Sequence, residues 1–303
     1  MAEPRYVGGQ AVIEGVMMRG ESTWAVAVRK PEGDIVVKVH EVAGWSEKYR
    51  NVPILRGVTG LGESLGLGYR ALTYSANLQI PEEDQVSSKV MTWTMGIAAV
   101  FFGAFFFMLP VFAGKGLASI SAMSFPLVEG LIRLALFIGY LLLVGRLKDI
   151  RRVFQYHGAE HKTIAAYENG VELTPETAQQ FSTAHVRCGT NFLLIVMVVA
   201  MLVYAVVPHP NIWFVVGSRI VLIPLIAGLS YEVIRLAAKH MDRSWVRALM
   251  RPGLLLQRLT TREPDLDQLE VAIASLRAVF TAEQRVEVDS RVGRRIPAIA
   301  PAI

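Results

Sequence analysis

Between Val90 and Leu109 the chain runs for 20 residues without a charged side chain. A bilayer core of ~30 Å takes about 20 apolar residues of helix, so a run of this length fits a membrane. Three further apolar runs follow it. Phe125–Leu147 is interrupted by Glu129, Arg133 and Arg146, Thr190–Val207 is uncharged, and Ile212–Leu229 carries only Arg219. Pro208-His209-Pro210-Asn211 reads as a turn between the last two. Charged residues make up 19% of the chain and the AVILMFWYC set 52%, against about 25% charged in a soluble domain. This balance excludes a disordered chain and an ordinary soluble enzyme. The expectation is an integral membrane α-helical protein with four transmembrane helices at 90–112, 125–147, 190–207 and 212–235, within a membrane domain spanning 90–239. The first 89 residues hold no apolar run of membrane length, so no signal peptide is expected.

The basic residues give the runs an orientation. Lys and Arg number 10 in residues 1–89, 1 in 115–124, 5 in 148–189, none in 208–211 and 12 in 230–303. Lys and Arg collect on the cytoplasmic side of membrane proteins. Both termini and the 148–189 insert are therefore expected in the cytoplasm, with the protein in a bacterial cytoplasmic (inner) membrane. The net charge of +5 is then face bias plus a basic tail, and no specific nucleic-acid contact is required.

The soluble parts divide by pattern. Residues 1–50 read as a small cytoplasmic β-meander. Its runs are Val12–Arg19, Trp24–Lys30 and Ile35–Val39, a Pro31-Glu32-Gly33-Asp34 turn precedes the third, and Gly8, Gly9 and Gly15 mark turns or a bulge. Residues 51–89 hold a Gly-rich amphipathic helix and a linker. No Gly-Lys-Ser/Thr follows the glycines, so they are not a phosphate loop; Gly62 and Gly66 have the spacing of a small packing face. Residues 240–280 read as an interfacial helix, with Arg243, Arg247 and Arg251 beside Trp245 and Leu249, and then a C-terminal helix opening at Glu263-Pro264-Asp265. Residues 281–303 are expected to be disordered.

The chemistry concentrates in the insert. Phe154–Lys162 contains His157-Gly158-Ala159-Glu160-His161. Residues i and i+4 share a helix face, so His157 and His161 can present two imidazoles to one divalent metal. Glu160 lies beside that face, where it can accept a proton from water, and inverted zincins use the same residue order. Zinc in a catalytic site needs a third protein ligand and an open position. His185 and Cys188, at i and i+3, are the candidates, with Glu168 a weaker one. Three ligating atoms within about 4 Å of one another would mark a tetrahedral site. The same residues also fit a buried helical stripe that needs no metal. Cys188 is the only cysteine, which excludes an intrachain disulfide; a nucleophilic role for it is a further reading.

Three charges fall inside the apolar runs. Glu129 and Arg133 are i and i+4, and Arg219 lies at a similar depth, so an interhelix polar network of Glu129, Arg133 and Arg219 is expected. Glu232 is expected to snorkel, to pair, or to approach the histidine insert.

Gly8–Gly20, Tyr156–Lys162, Arg187–Thr190 and Glu263-Pro264-Asp265 together resemble the bacterial YqhQ family, over roughly residues 6–280. The resemblance implies a metal-dependent enzyme of a domain of unknown function, without a substrate or reaction. The reading from the residues is a metal-dependent hydrolase at the cytoplasmic membrane face. A non-enzymatic scaffold or accessory factor for membrane-protein insertion, with a membrane-protein or ribosome-associated partner besides the lipid bilayer, is the alternative. A transporter or channel subunit is the third reading.

Overall fold

The computed structural model describes residues 6–117, 125–208 and 210–290, apart from the side chains of Ser88, Ala282 and Glu287. The N-terminal segment is an antiparallel meander of β1 (Gly8–Val12), β2 (Gly15–Arg19), β3 (Thr23–Arg29) and β4 (Ile35–Glu41), in that spatial order. The expected single run Val12–Arg19 is a hairpin instead. Glu14 turns the chain with φ 52°, and Gly15 then pairs with Val28 so closely that a Cβ would overlap the Ala27 carbonyl oxygen.

Both faces of this sheet are covered, so β2 and β3 read as continuous apolar runs. One face sends Val12, Met17, Trp24, Val26 and Val28 against Leu67 and Ala71 of α1 (Leu55–Leu78). The other sends Val16, Met18, Ala25 and Ala27 against Tyr156, Ala159 and Ile164 of α5 (Lys148–Glu168) and Leu269, Ala272 and Leu276 of α11 (Leu266–Ala278). Full burial of each large side chain contributes roughly 1.5–3 kcal/mol. The glycines of α1 that pack closely are Gly57, where a Cβ would lie 2.6 Å from Tyr231 Cβ, and Gly68 against the Gln10 amide; Gly66 faces open space. Of the expected Gly62/Gly66 pair, only Gly62 packs, with a Cβ position 3.4 Å from Trp45; the closest approaches are those of Gly57 to Tyr231 and of Gly68 to Gln10.

The apolar runs form α2 (Ser88–Gly103), a π-helical turn (Ala104–Met108), α3 (Leu109–Leu117), α4 (Phe125–Val144), α7 (Gly189–Ala205), α8 (Ile212–Val221) and α9 (Ile223–Lys239). Among the described residues two helices are long and apolar enough to cross a membrane, Lys89–Lys115 and Phe125–Val144. A third counts if α8 and α9, bent by 48°, form one span. Four spans are thus more than length and composition support. Pro224 at the start of α9 lacks the N–H of a continuous helix, and α7 has 17 residues. Apolar side chains on these helices face outward, with Trp93 74%, Val100 75% and Trp213 81% exposed. Contiguous exposed apolar surface of this kind suits a lipid environment.

Between and after these helices lie α5 (Lys148–Glu168), α6 (Pro175–Ala178), α10 (Ser244–Thr260), α11 (Leu266–Ala278) and α12 (Ala282–Ser290). Asp265 opens α11 in a capping box with Gln268. The tail expected to be disordered is helical over Ala282–Ser290; residues 291–303 lie outside the described part.

Candidate metal centre

α5 carries His157 and His161 on adjacent turns, with ring centroids 4.4 Å apart. Cys188 caps the N-terminus of α7, its sulfur accepting from Thr190 N–H. The cap places Sγ 3.3 Å from His157 Nε2. One ligating atom from each of His157, His161 and Cys188 lies within 4.8 Å of the other two. Donors around a tetrahedral zinc at ~2.0–2.3 Å stand about 3.3–3.7 Å apart. The His157–Cys188 pair already has that spacing, whereas the full trio, within 4.8 Å, is wider than the about 4 Å expected of a tetrahedral site.

The tautomers follow from the partners. His157 Nδ1 is 2.8 Å from Thr260 O and His161 Nδ1 is 2.5 Å from Thr183 O. A carbonyl only accepts, so both Nδ1 atoms carry the proton and both Nε2 atoms present lone pairs. His161 Nε2 is buried without a hydrogen-bond partner among the described residues. Burial is the largest influence on His161 and lowers its pKa, against the opposing pull of Cys188. A neutral imidazole held at Nδ1 by a carbonyl is the usual form of a metal-binding histidine.

Gly158 lets the C-terminal end of α10 reach this centre. Arg262 N–H donates to Phe154 O at 2.9 Å, and a Cβ on Gly158 would overlap the Arg262 carbonyl oxygen. The close crossing carries Thr260 O to His157. Gly9 does the same for Glu160, since a Cβ there would sit 2.7–2.8 Å from the Glu160 side chain. Glu160 takes a backbone hydrogen bond from Ala11, while Oε2 is buried without a hydrogen-bond partner among the described residues. Burial raises its pKa to about 7, against the lowering effects of His157 and Ala11.

His185 is adjacent but turned away. Its Nε2 lies 3.3 Å from Glu168 Oε2 and its Nδ1 accepts from Arg187 N–H at 3.4 Å. Gln257 holds its backbone, accepting from His185 N–H at 2.9 Å and donating to His185 O at 2.8 Å. Glu168 also pairs with Arg187. Burial alone would raise the Glu168 pKa, but His185 and Arg187 bring it below the usual carboxylate value. The structure thus brings together His157, His161 and Cys188, with Glu160 on the same cavity wall, and leaves His185 and Glu168 in a separate pair. Thr183, Thr260 and Gln257 escaped the sequence reading, because backbone carbonyls and distant amides leave no motif. Gly158, inside the histidine motif, was a readable signal.

The charges in the apolar helices form one cluster. Glu129 accepts from Arg219 at 2.5 and 3.2 Å and from Arg133 at 2.6 Å, and Arg133 Nε donates to Phe106 O at 3.1 Å. That carbonyl lies in the π-helical turn. Tyr204 stacks over Arg219, 4.1 Å from ring centroid to guanidinium carbon. Glu232 does not approach the histidines; it pairs with Arg56 and accepts from Ile54 N–H at 3.1 Å.

A family described as a protein of unknown function (DUF1385) matches residues 52–282. The chain belongs to that family. An uncharacterized protein YqhQ of Bacillus subtilis (strain 168) is 34% identical over 317 residues, covering 97% of this chain and 98% of that protein. No solved structure matches.

Proposed function

We propose that this DUF1385 chain is a metal-dependent hydrolase whose centre is His157, His161 and Cys188. The observation that carries the proposal is convergence. One nitrogen from each of two imidazoles, their tautomers set by Thr260 and Thr183, lies within 4.8 Å of a sulfur anchored by a helix cap. A thiolate with two imidazoles suits zinc, and three protein donors leave a fourth position open. A zinc ion there would supply Lewis-acid polarisation and a more acidic water. Glu160 accepts the proton as the water oxygen bonds to an acyl carbon or phosphorus. It then passes the proton to the oxygen or nitrogen that leaves.

The reading includes four spans, with α7 as a short one and α8–α9 as a bent one, in a cytoplasmic membrane with both termini inside. Its support is packing. The sheet touches both α5 and α11, so these three segments share one side of any membrane, in agreement with the distribution of Lys and Arg.

Metal analysis of the purified full-length protein tests the centre. Close to one zinc per chain is expected, with about 10- to 100-fold weaker retention when a supporting group is lost and more when a ligand is lost. His157→Ala, His161→Ala and Cys188→Ala should each release it, whereas His185→Ala should keep it. Metal content indifferent to all of the first three changes refutes the proposal. Glu160→Gln should keep the metal and abolish hydrolysis; a scaffold would be unaffected by it.

A further inference from the structure

The centre opens into a long cavity. A volume of about 980 Å³ is at the upper end of the ~300–1,000 Å³ typical of small-molecule sites. Gln10, Arg19, Glu160, His185 and Arg187 line it together with the three proposed ligands. The remaining lining is mostly apolar, with Arg133 the charged exception.

α7 shows how far the cavity reaches. Cys188, Phe192, Val196, Ala200 and Tyr204 all line it, at successive fourth residues that wind slowly round the helix as they climb it. At ~1.5 Å per residue that stripe rises about 24 Å, close to the thickness of a bilayer core. Opposite it stand Phe102, Phe106, Phe107 and Phe137. Arg133 lines the far end, but Phe107 and Tyr204 lie over its guanidinium, with ring centroids 5.4 and 5.9 Å from its central carbon. A water-soluble substrate would leave most of this surface bare.

Taking the hydrolase reading as its basis, we propose that the substrate is a membrane lipid. One hydrocarbon chain lies along α7, and the polar head rests at His157, His161 and Cys188. The head is anionic. Arg19 and Arg187 each give one Nη to a carboxylate, Glu63 and Glu168 respectively. Tyr6 covers one face of the Arg187 guanidinium, 5.0 Å from ring centroid to central carbon, and leaves its remaining in-plane N–H groups, like those of Arg19, to an acidic head. The substrate class follows from the juxtaposition: a hydrolytic centre at the membrane-surface end of a channel as long as an acyl chain.

Photo-crosslinking tests this with full-length protein in nanodiscs of phosphatidylethanolamine and phosphatidylglycerol. The probe is hexadecanoic acid bearing a terminal diazirine, with a hexanoic analogue as comparison. Crosslinks to Val196, Met197, Ala200 and Tyr204 are expected, at least about tenfold stronger for the long chain. Met197→Trp, which narrows the groove, should reduce them by a similar factor, with folding checked by gel filtration and melting. The wild-type map decides the matter even if that variant misfolds. Crosslinks confined to outward residues such as Trp93, Val100 and Trp213, or equal labelling by both probes, overturn the lipid proposal. Metal is measured on the same samples. Metal without labelling of the groove refutes the lipid alone; labelling without metal supports the lipid and refutes the hydrolase reading.

Discussion

Replacing Glu129 by glutamine removes the charge at the centre of the buried ion triad. Glu129, Arg133 and Arg219 are all buried, and the single carboxylate accepts hydrogen bonds from both guanidinium groups. The triad carries a formal charge of about +1 with both arginines ionised. Glu129→Gln keeps the volume, raises that charge by one, and turns an amide N–H₂ toward a donor. Leaving buried charges uncompensated costs about 3–5 kcal/mol. For a chain of this size that is a fall in Tm on the order of 10 °C. The assay is melting of the purified protein in detergent, followed by intrinsic tryptophan fluorescence. Arg133→Met, which instead takes the triad to neutrality, should be milder. The double change Glu129→Gln with Arg133→Met should recover part of the loss, because these sites share a partner and do not add. A Glu129→Gln protein that melts within ~1 °C of the parent, or a double variant worse than the sum of the singles, refutes the argument.

Two further perturbations follow from the geometry. Gly158→Ala forces a Cβ into the Arg262 carbonyl; overpacking should cost about 1–3 kcal/mol in chemical denaturation, and displacement of Thr260 from His157 should weaken metal retention in the same protein. Asp265→Ala removes the α11 capping box and should cost about 0.5–2 kcal/mol, with metal content unchanged, which separates loss of stability from damage to the centre.

Much of the architecture could be read before any coordinates. Apolar runs located the apolar helices because hydropathy is local, although two of them, or three with the bent pair, are long enough to span a membrane; i, i+4 spacing located the imidazole pair for the same reason. Gly15 signalled a turn or bulge, but the hairpin residues Ile13-Glu14 themselves have no turn chemistry; Glu14 adopts φ 52° and Gly15 closely approaches Ala27. The choice between His185 and Cys188 was equally closed to sequence. It depends on Glu168 reaching His185 from the end of α5 and on Cys188 capping α7. The pairing of Glu129 with Arg219 was readable from depth, whereas the Phe106 carbonyl that receives Arg133 depends on a π-helical turn with no sequence signature.

The two-sided burial of the sheet also sets an order of events during synthesis. Strands β1–β4 leave the ribosome first, and α1 follows at once to cover one face. The other face needs α5 and then α11, whose Ser275 donates to Ala25 O across 250 positions of sequence. Until those helices emerge, Val16, Met18, Ala25 and Ala27 have no cover, and Glu160 is not yet lodged beside Gly9. The centre therefore matures only after the apolar helices α2–α4 and α7–α9 have been made. A nascent chain halted before residue 266 would carry an open sheet face, a surface suited to capture by chaperones or to removal by proteases.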